Sequence, residues 1–113
     1  MEERIHKFDC CEPWFSLIKS GKKVVEGRIN SKKYSSMQVG DKLILSTENE
    51  FLRLTIKKIT KYKSFEDMII CETLERVLPN IETIEEGIKV YKQFYKPEIE
   101  KHYGVIAIKI SVD

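Results

Sequence analysis

The chain has 113 residues, of which 42% are hydrophobic and 34% charged, with 5 Gly and 3 Pro. That length suits one domain with one core, and the composition excludes a collagen-like, low-complexity or disordered chain. The formal net charge of +2 divides unevenly, with 14 basic and 8 acidic side chains before Ser64 and 6 basic and 10 acidic from Ser64 to Asp113; the asymmetry marks either a surface for an anionic partner or a solvated Lys-rich face.

Arg4 to Asp9 reads as a short strand, with Ile5 and Phe8 as its large apolar positions. A helix follows, with Glu12 and Pro13 in its first turn, an apolar side of Phe15, Leu17 and Ile18, and Ser20-Gly21 as its stop. Val24 and Val25 open a β-prone run to Ile29, and Asn30 to Ser36 reads as a polar, basic loop. Val39-Gly40-Asp41 is a turn into a strand through Leu43, Ile44 and Leu45, and Glu48-Asn49-Glu50 turns that strand back. The run Phe51 to Tyr62 alternates, with Leu52, Leu54, Ile56 and Lys58 on one side and Phe51, Arg53, Thr55, Lys57 and Ile59 on the other. The two runs form an antiparallel hairpin.

Past Lys63 the period becomes helical. Ser64 caps a helix carrying Phe65, Met68, Ile69, Leu74, Val77 and Leu78 as far as the break at Pro79-Asn80. A second helical stretch, from about Thr83 to Tyr95, sets Ile84, Ile88, Tyr91 and Tyr95 in one row, which reads as core rather than a base-stacking platform. Val105 to Val112 alternates again and contains no Pro, as a strand paired inside a sheet would. This order lacks the regular crossover helices of a doubly wound sheet. It predicts an α+β fold: a small, mostly antiparallel barrel with helices packed around it, one domain over residues 1–113.

Three cysteines, two of them adjacent (Cys10 and Cys11) and one far away (Cys71), supply no even disulfide framework. With no C-x-x-C pair, and His6 and His102 as the only imidazoles, they supply no zinc site either. Cys10 reads as a small buried hydrophobe, since no recognisable His or Asn arrangement would make it a nucleophile. The N-terminal run Met-Glu-Glu-Arg-Ile-His-Lys is charged and unlike a signal peptide. No apolar stretch approaches the roughly 18 residues of a membrane span. The expectation is a cytoplasmic protein with no membrane, metal or cofactor partner.

One segment carries chemistry. In Ser20-Gly21-Lys22-Lys23-Val24-Val25-Glu26-Gly27-Arg28, four residues form the pattern Gly-x-Lys-x-x-Glu-x-Arg between a helix stop and a strand. Gly21 tolerates a left-handed helix terminus. Glu26 and Arg28 share a strand face, where they can pair and present a carboxylate and a guanidinium to one ligand. Strict alternation would send Lys23 to the opposite face, so joint action requires the strand to begin after it. The alternative is a structural Glu26–Arg28 salt bridge on a solvated face with Lys23 exposed.

With this pattern, Trp14-Phe15 before it, Val39-Gly40-Asp41 after it, and Tyr103-Gly104-Val105-Ile106-Ala107-Ile108 near the end, the chain resembles the ASCH domains of the PUA-like superfamily. The resemblance implies a PUA-like barrel with a cleft for a nucleotide or an RNA strand, lined by Lys23, Glu26 and Arg28. Lys23 and Arg28 would neutralise phosphate, and Glu26 would accept hydrogen bonds from a base amino group such as cytosine N4. Lys32, Lys33 and the hydroxyls of Ser35 and Ser36 are candidates for backbone contacts, or else an ordinary solvated loop.

The resemblance also implies a chemistry. One branch of similar proteins deacylates N4-acetylcytidine with a Lys, a Thr nucleophile and a Glu. This chain keeps Lys23 but has Glu26 where that branch has Thr, so Glu26 would activate a water as general base, with Glu72 or Glu75 as the third, acidic member unless both lie on a solvated helix face. A further branch is associated with RNA cleavage. The leading expectation is RNA or modified-nucleotide binding in a basic cleft. The alternatives are an amidohydrolase on N4-acylcytidine, a ribonuclease, or a protein-interaction adaptor using the acidic C-terminal half.

Overall fold

The computed structural model of the protein describes residues 4–113; the first three residues of the charged N-terminal run lie outside the described residues. Strand β1 (Ile5–Asp9) leads to helix α1 (Trp14–Lys19), strand β2 (Val25–Ile29) and a 3-10 turn over Lys32–Tyr34. The hairpin of β3 (Lys42–Ser46) and β4 (Phe51–Tyr62) follows. Helices α2 (Phe65–Glu72), α3 (Leu74–Val77), α4 (Ile84–Lys92) and α5 (Pro97–Tyr103) precede the last strand, β5 (Val105–Val112).

The strands form one sheet in the order β1-β3-β4-β5-β2. Three of its pairings are antiparallel and one, β1 with β3, is parallel. The sheet curls into a half-barrel, which gives the expected α+β fold but leaves it open between its two edge strands, β1 and β2. β5 is buried on both faces, and so separates two cores. Ile106, Ile108 and Ile110 pack inside the curl with Leu43, Leu45, Leu54, Ile56 and Phe15. Val105 and Ala107 face the other way, onto Val25, Phe65, Met68 and Tyr91 beneath the helices. Because Glu26 lies opposite Ile108 and Arg28 opposite Ile106 in the register, these two polar residues share the inner face of the half-barrel, at its open edge.

Three local features depart from the sequence expectation. The register between β4 and β5 shifts between Ile56 and Lys58, and this bulge turns Ile59 back onto the inner core instead of the opposite face. The helix capped by Ser64 ends at Glu72 rather than at Pro79, because Thr73 takes a positive φ of 77° and redirects the chain into α3. Helix α5 carries no buried side chain and so no hydrophobic period; its signal was Pro97 in the first turn and Gly104 just past the end. Its Glu100 carboxylate accepts from the Phe65 amide at 2.7 Å and ties α5 to the start of α2.

A Thr at φ 77° and ψ 138° stores about 1–3 kcal/mol of backbone strain, against the roughly 0.5–1 kcal/mol that glycine costs in chain entropy. Thr73→Gly should therefore raise stability by about 1 kcal/mol, read as a higher urea midpoint at unchanged m. A lower midpoint would mean that side-chain contacts of Thr73 outweigh its strain.

Candidate functional site

The site begins with how α1 stops. Gly21, at φ 82°, lets the Lys22 amide reach back to the Leu17 carbonyl and its own amide to that of Ile18, both at 3.0 Å. β2 starts only at Val25, so Lys23 precedes the strand and is free of its alternation, as joint action with Glu26 requires. The Lys23 side chain is 1% exposed. Its ammonium donates to the Val25 carbonyl at 2.7 Å and to the Val77 carbonyl, and lies 3.6 Å from Glu26 Oε1. Val77 ends α3, so the lysine answers a carbonyl that the helix leaves without an internal partner.

Glu26 is the centre of the group. Its Oε1 accepts from the Gly27 amide at 3.1 Å and its Oε2 from Arg28 Nη2 at 3.1 Å. The same Nη2 donates to the Asp9 carbonyl at 2.9 Å, so Arg28 spans the gap between the two edge strands. Burial alone would raise the Glu26 carboxyl, but Lys23 and Arg28 outweigh it and hold the group below the ordinary carboxylate range. Burial pulls the Lys23 ammonium down against the opposing charge of Glu26. For Arg28, burial acts downward and Glu26 more than compensates, so the guanidinium stays charged.

All three residues line one cavity of about 850 Å³. Its other walls are the end of β1 and the start of α1 (Asp9 to Glu12 and Trp14), the β3–β4 turn (Ser46 to Glu50), and Val90, Tyr91, Phe94 and Tyr95 from α4 and the residues after it. The aromatic row is core in part, since Phe65 stacks on Tyr91 at 4.1 Å and on Tyr95 at 5.3 Å. It is also a cavity wall, which the sequence period alone did not separate from packing. The Tyr91 hydroxyl has no hydrogen-bond partner among the described residues, and it lies where a Cβ on Gly27 would come within 3.0 Å of it.

The other sequence candidates divide. Lys33 stands outside the cavity, with its ammonium 4.9 Å from the centre of the Phe8 ring, whose other close cation is Arg28 at 5.3 Å; Lys32 is exposed beside it. Ser35 donates to the Lys32 carbonyl at 2.8 Å, and the Ser36 carbonyl accepts from Arg4, so both serve the loop itself. Glu72 is not at the site: it accepts from the Tyr62 hydroxyl. Glu75 is exposed on α3, and neither acid lines the cavity. Cys10 lines it, yet burial pushes its thiol up to about 12, in keeping with a small packed residue rather than a nucleophile.

The expected basic character of the cleft is corrected. Five acidic residues (Asp9, Glu12, Glu26, Glu48 and Glu50) line the cavity against Lys23 and Arg28. The basic run of the sequence turns its remaining lysines elsewhere, while acids from two distant loops converge. Sequence reasoning missed Asp9, Glu12, Glu48 and Glu50 because nothing in a linear pattern brings the β1–α1 and β3–β4 connections together.

A curled, PUA-like half-barrel with a polar cavity at its open edge defines the class of protein. The sequence matches the ASCH domain over residues 9–112, and the chain belongs to that family. Membership in a PUA-like fold family is consistent with RNA binding at the general level. The fold is similar to the crystal structure of hypothetical protein PH0355, with a TM-score of 0.91 and 41% identity, covering 96% of this chain and 99% of that one. It is also similar to the solution structure of protein PF0455 from Pyrococcus furiosus, with a TM-score of 0.79 and 40% identity, covering 96% of each chain. No curated protein matches the chain. Among the described residues no helix is long and apolar enough to cross a membrane.

Removing the charge of Glu26 leaves Lys23 and Arg28 buried without their counter-ion, and Glu26→Gln should cost about 3 kcal/mol at neutral pH. Because the folded-state pKa of Glu26 lies below the ordinary 4.5, its contribution is present above that value and is lost as pH falls through the lower one. The gap in unfolding free energy between wild type and Glu26→Gln should therefore shrink on acidification below the ordinary carboxylate range. A gap that stays constant to low pH would show that the carboxylate charge is not what the variant removes.

Proposed function

We propose that the protein binds RNA or a modified nucleotide by taking one base into this cavity. The observation that carries the reading is Glu26: a buried carboxylate kept ionised between two cations, with acceptor capacity left over, beside an aromatic wall. Such a group matches a base edge that offers N–H donors, as cytosine does at N4 and guanine at N1 and N2. The volume suits one nucleoside. Trp14, Phe94 and Tyr95 supply faces against which a base can stack.

The charge arrangement divides the ligand. Phosphates are disfavoured at a cavity lined by five acidic residues and are better met outside it, where Lys33 and Lys32 stand next to the Arg28 end. Binding is favoured over hydrolysis of N4-acylcytidine because a carboxylate held below its ordinary range is a weak base, whereas a general base works best with a pKa near the operating pH.

The molecule contains a single tryptophan, and it lines the cavity. Cytidine, guanosine or a short single-stranded RNA should quench Trp14 fluorescence saturably, and Arg28→Ala should weaken that binding at least about tenfold, as expected for loss of a buried ion-pair partner. For RNA measured by fluorescence anisotropy, the combined Lys32→Ala and Lys33→Ala variant should lower the salt slope by about 1.4, two phosphate contacts of a single strand. Quenching by none of these ligands would overturn the reading; an unchanged salt slope would remove the two lysines from the interface.

A further inference from the structure

The charge of the cavity runs against that of the chain segment that builds its floor. Its two cations are consumed internally: Lys23 by two backbone carbonyls and Glu26, Arg28 by Glu26 and the Asp9 carbonyl. Among the carboxylates, Glu26 answers those two cations, and Glu50 pairs with Lys19 at 2.8 Å. Asp9, Glu12 and Glu48 make no salt bridge among the described residues, although the charge of Lys19 acts on Glu12. Glu12 stays ionised because the Ser16 hydroxyl and amide both donate to it and hold it below the ordinary carboxylate range. A concave surface lined in this way focuses a negative potential on whatever enters.

The aromatic wall is a second, independent feature. Tyr91 belongs to it and is 5% exposed, and its hydroxyl is packed under Gly27 on the helix side of β2, with neither solvent contact nor a hydrogen-bond partner among the described residues. Burial keeps the phenol protonated, well above its ordinary range, so it is a donor without an acceptor. The wall continues through Phe94, Tyr95, one face of which stacks on Phe65, and Trp14, whose ring already has the Lys23 ammonium 5.8 Å from its centre; aromatic π faces attract a cation, and more strongly where water is excluded.

We propose, building on the base-binding reading above, that the cavity selects nucleobases carrying a positive charge, N-methylated bases of the 7-methylguanine and 3-methylcytosine kind, over their neutral parents. A charge delocalised over the ring meets both the aromatic faces and the unpaired carboxylates of the rim. Each of these bases still offers N–H groups to Glu26, at N1 and N2 of the guanine and at N4 of the cytosine. Methylation at guanine N7 adds attraction at the faces and rim away from the N1 and N2 edge that Glu26 reads, and methylation at cytosine N3, on the Watson–Crick edge itself, still leaves the N4 amino group for Glu26.

The test is a Trp14 fluorescence titration of the full chain with two matched pairs, 7-methylguanosine against guanosine and 3-methylcytidine against cytidine. The methylated member of each pair should bind about tenfold more tightly, the scale of a desolvated cation–π contact plus partly screened carboxylates. That preference should narrow several-fold in the combined Asp9→Asn and Glu48→Gln variant, whose substitutions lie on the rim rather than in the buried ion chain. Equal or weaker binding of the methylated nucleosides, with the neutral ones still bound, would overturn the charge selection and leave base binding standing. Saturable quenching by none of the four would overturn base binding, and the selection with it.

Discussion

An ammonium group taken almost wholly out of water is the constraint around which this small fold is arranged. Leaving such an ion uncompensated costs several kcal/mol, a large share of the roughly 5–15 kcal/mol that holds a domain together. Lys23 is compensated from three directions, by the carbonyls of Val25 and Val77 and by the carboxylate of Glu26. Each compensation depends on a separate piece of backbone. The α1 stop at Gly21 delivers the lysine ahead of the strand, the start of β2 at Val25 turns Glu26 toward it, and the break at Thr73 brings the end of α3 within reach. Strain at Thr73 is thus tied to satisfying a charge elsewhere.

The same chain of charges explains why the sheet remains a half-barrel. Its edge strands, β1 and β2, are joined at the open side by one guanidinium, Arg28 to the Asp9 carbonyl, rather than by a ladder of backbone bonds. Pairing the two edges along their length would have removed the unpaired strand edges, and with them the space that Glu26 faces. A single side-chain tie restrains the edges and leaves a cavity between them. In most small barrels the inner face is filled by apolar side chains; here that holds for β3, β4 and β5, and fails at Glu26 and Arg28 in β2, where the interior opens.

How much of this was legible in the sequence depends on the range of the interaction. The hydrophobic periods located the five strands and the longer helices, because each reports a local face turned toward a core. Shared facing of Glu26 and Arg28 followed from a spacing of two, and the exemption of Lys23 from that alternation was a condition that the helix stop made possible. The bulge that redirects Ile59 and the turn at Thr73 were not legible, since a β-branched residue at positive φ runs against local preference and is held there by long-range contacts. The sign of the cavity was least legible of all. A local excess of lysine around Gly21 to Lys33 suggested a basic cleft, yet Lys23 is spent on backbone carbonyls, Lys32 and Lys33 stand outside, and the acids come from loops far apart in the chain.

These placements also limit the chemistry the cavity can support. Proton transfer near neutral pH needs a group whose pKa lies close to it; burial draws the Lys23 ammonium down in that direction, while Glu26, Cys10 and Tyr91 are driven away from it. The Glu26 carboxyl is held low by two cations, and burial pushes the Cys10 thiol to about 12 and the Tyr91 phenol well above its ordinary value. Each is thereby fixed in one protonation state, the first as an acceptor and the other two as neutral donors. Groups fixed in this way discriminate among hydrogen-bonding patterns at no cost in proton uptake or release. That is the behaviour expected of a recognition site, and it makes the remaining acceptor capacity of Glu26 the feature through which a ligand's identity would be read.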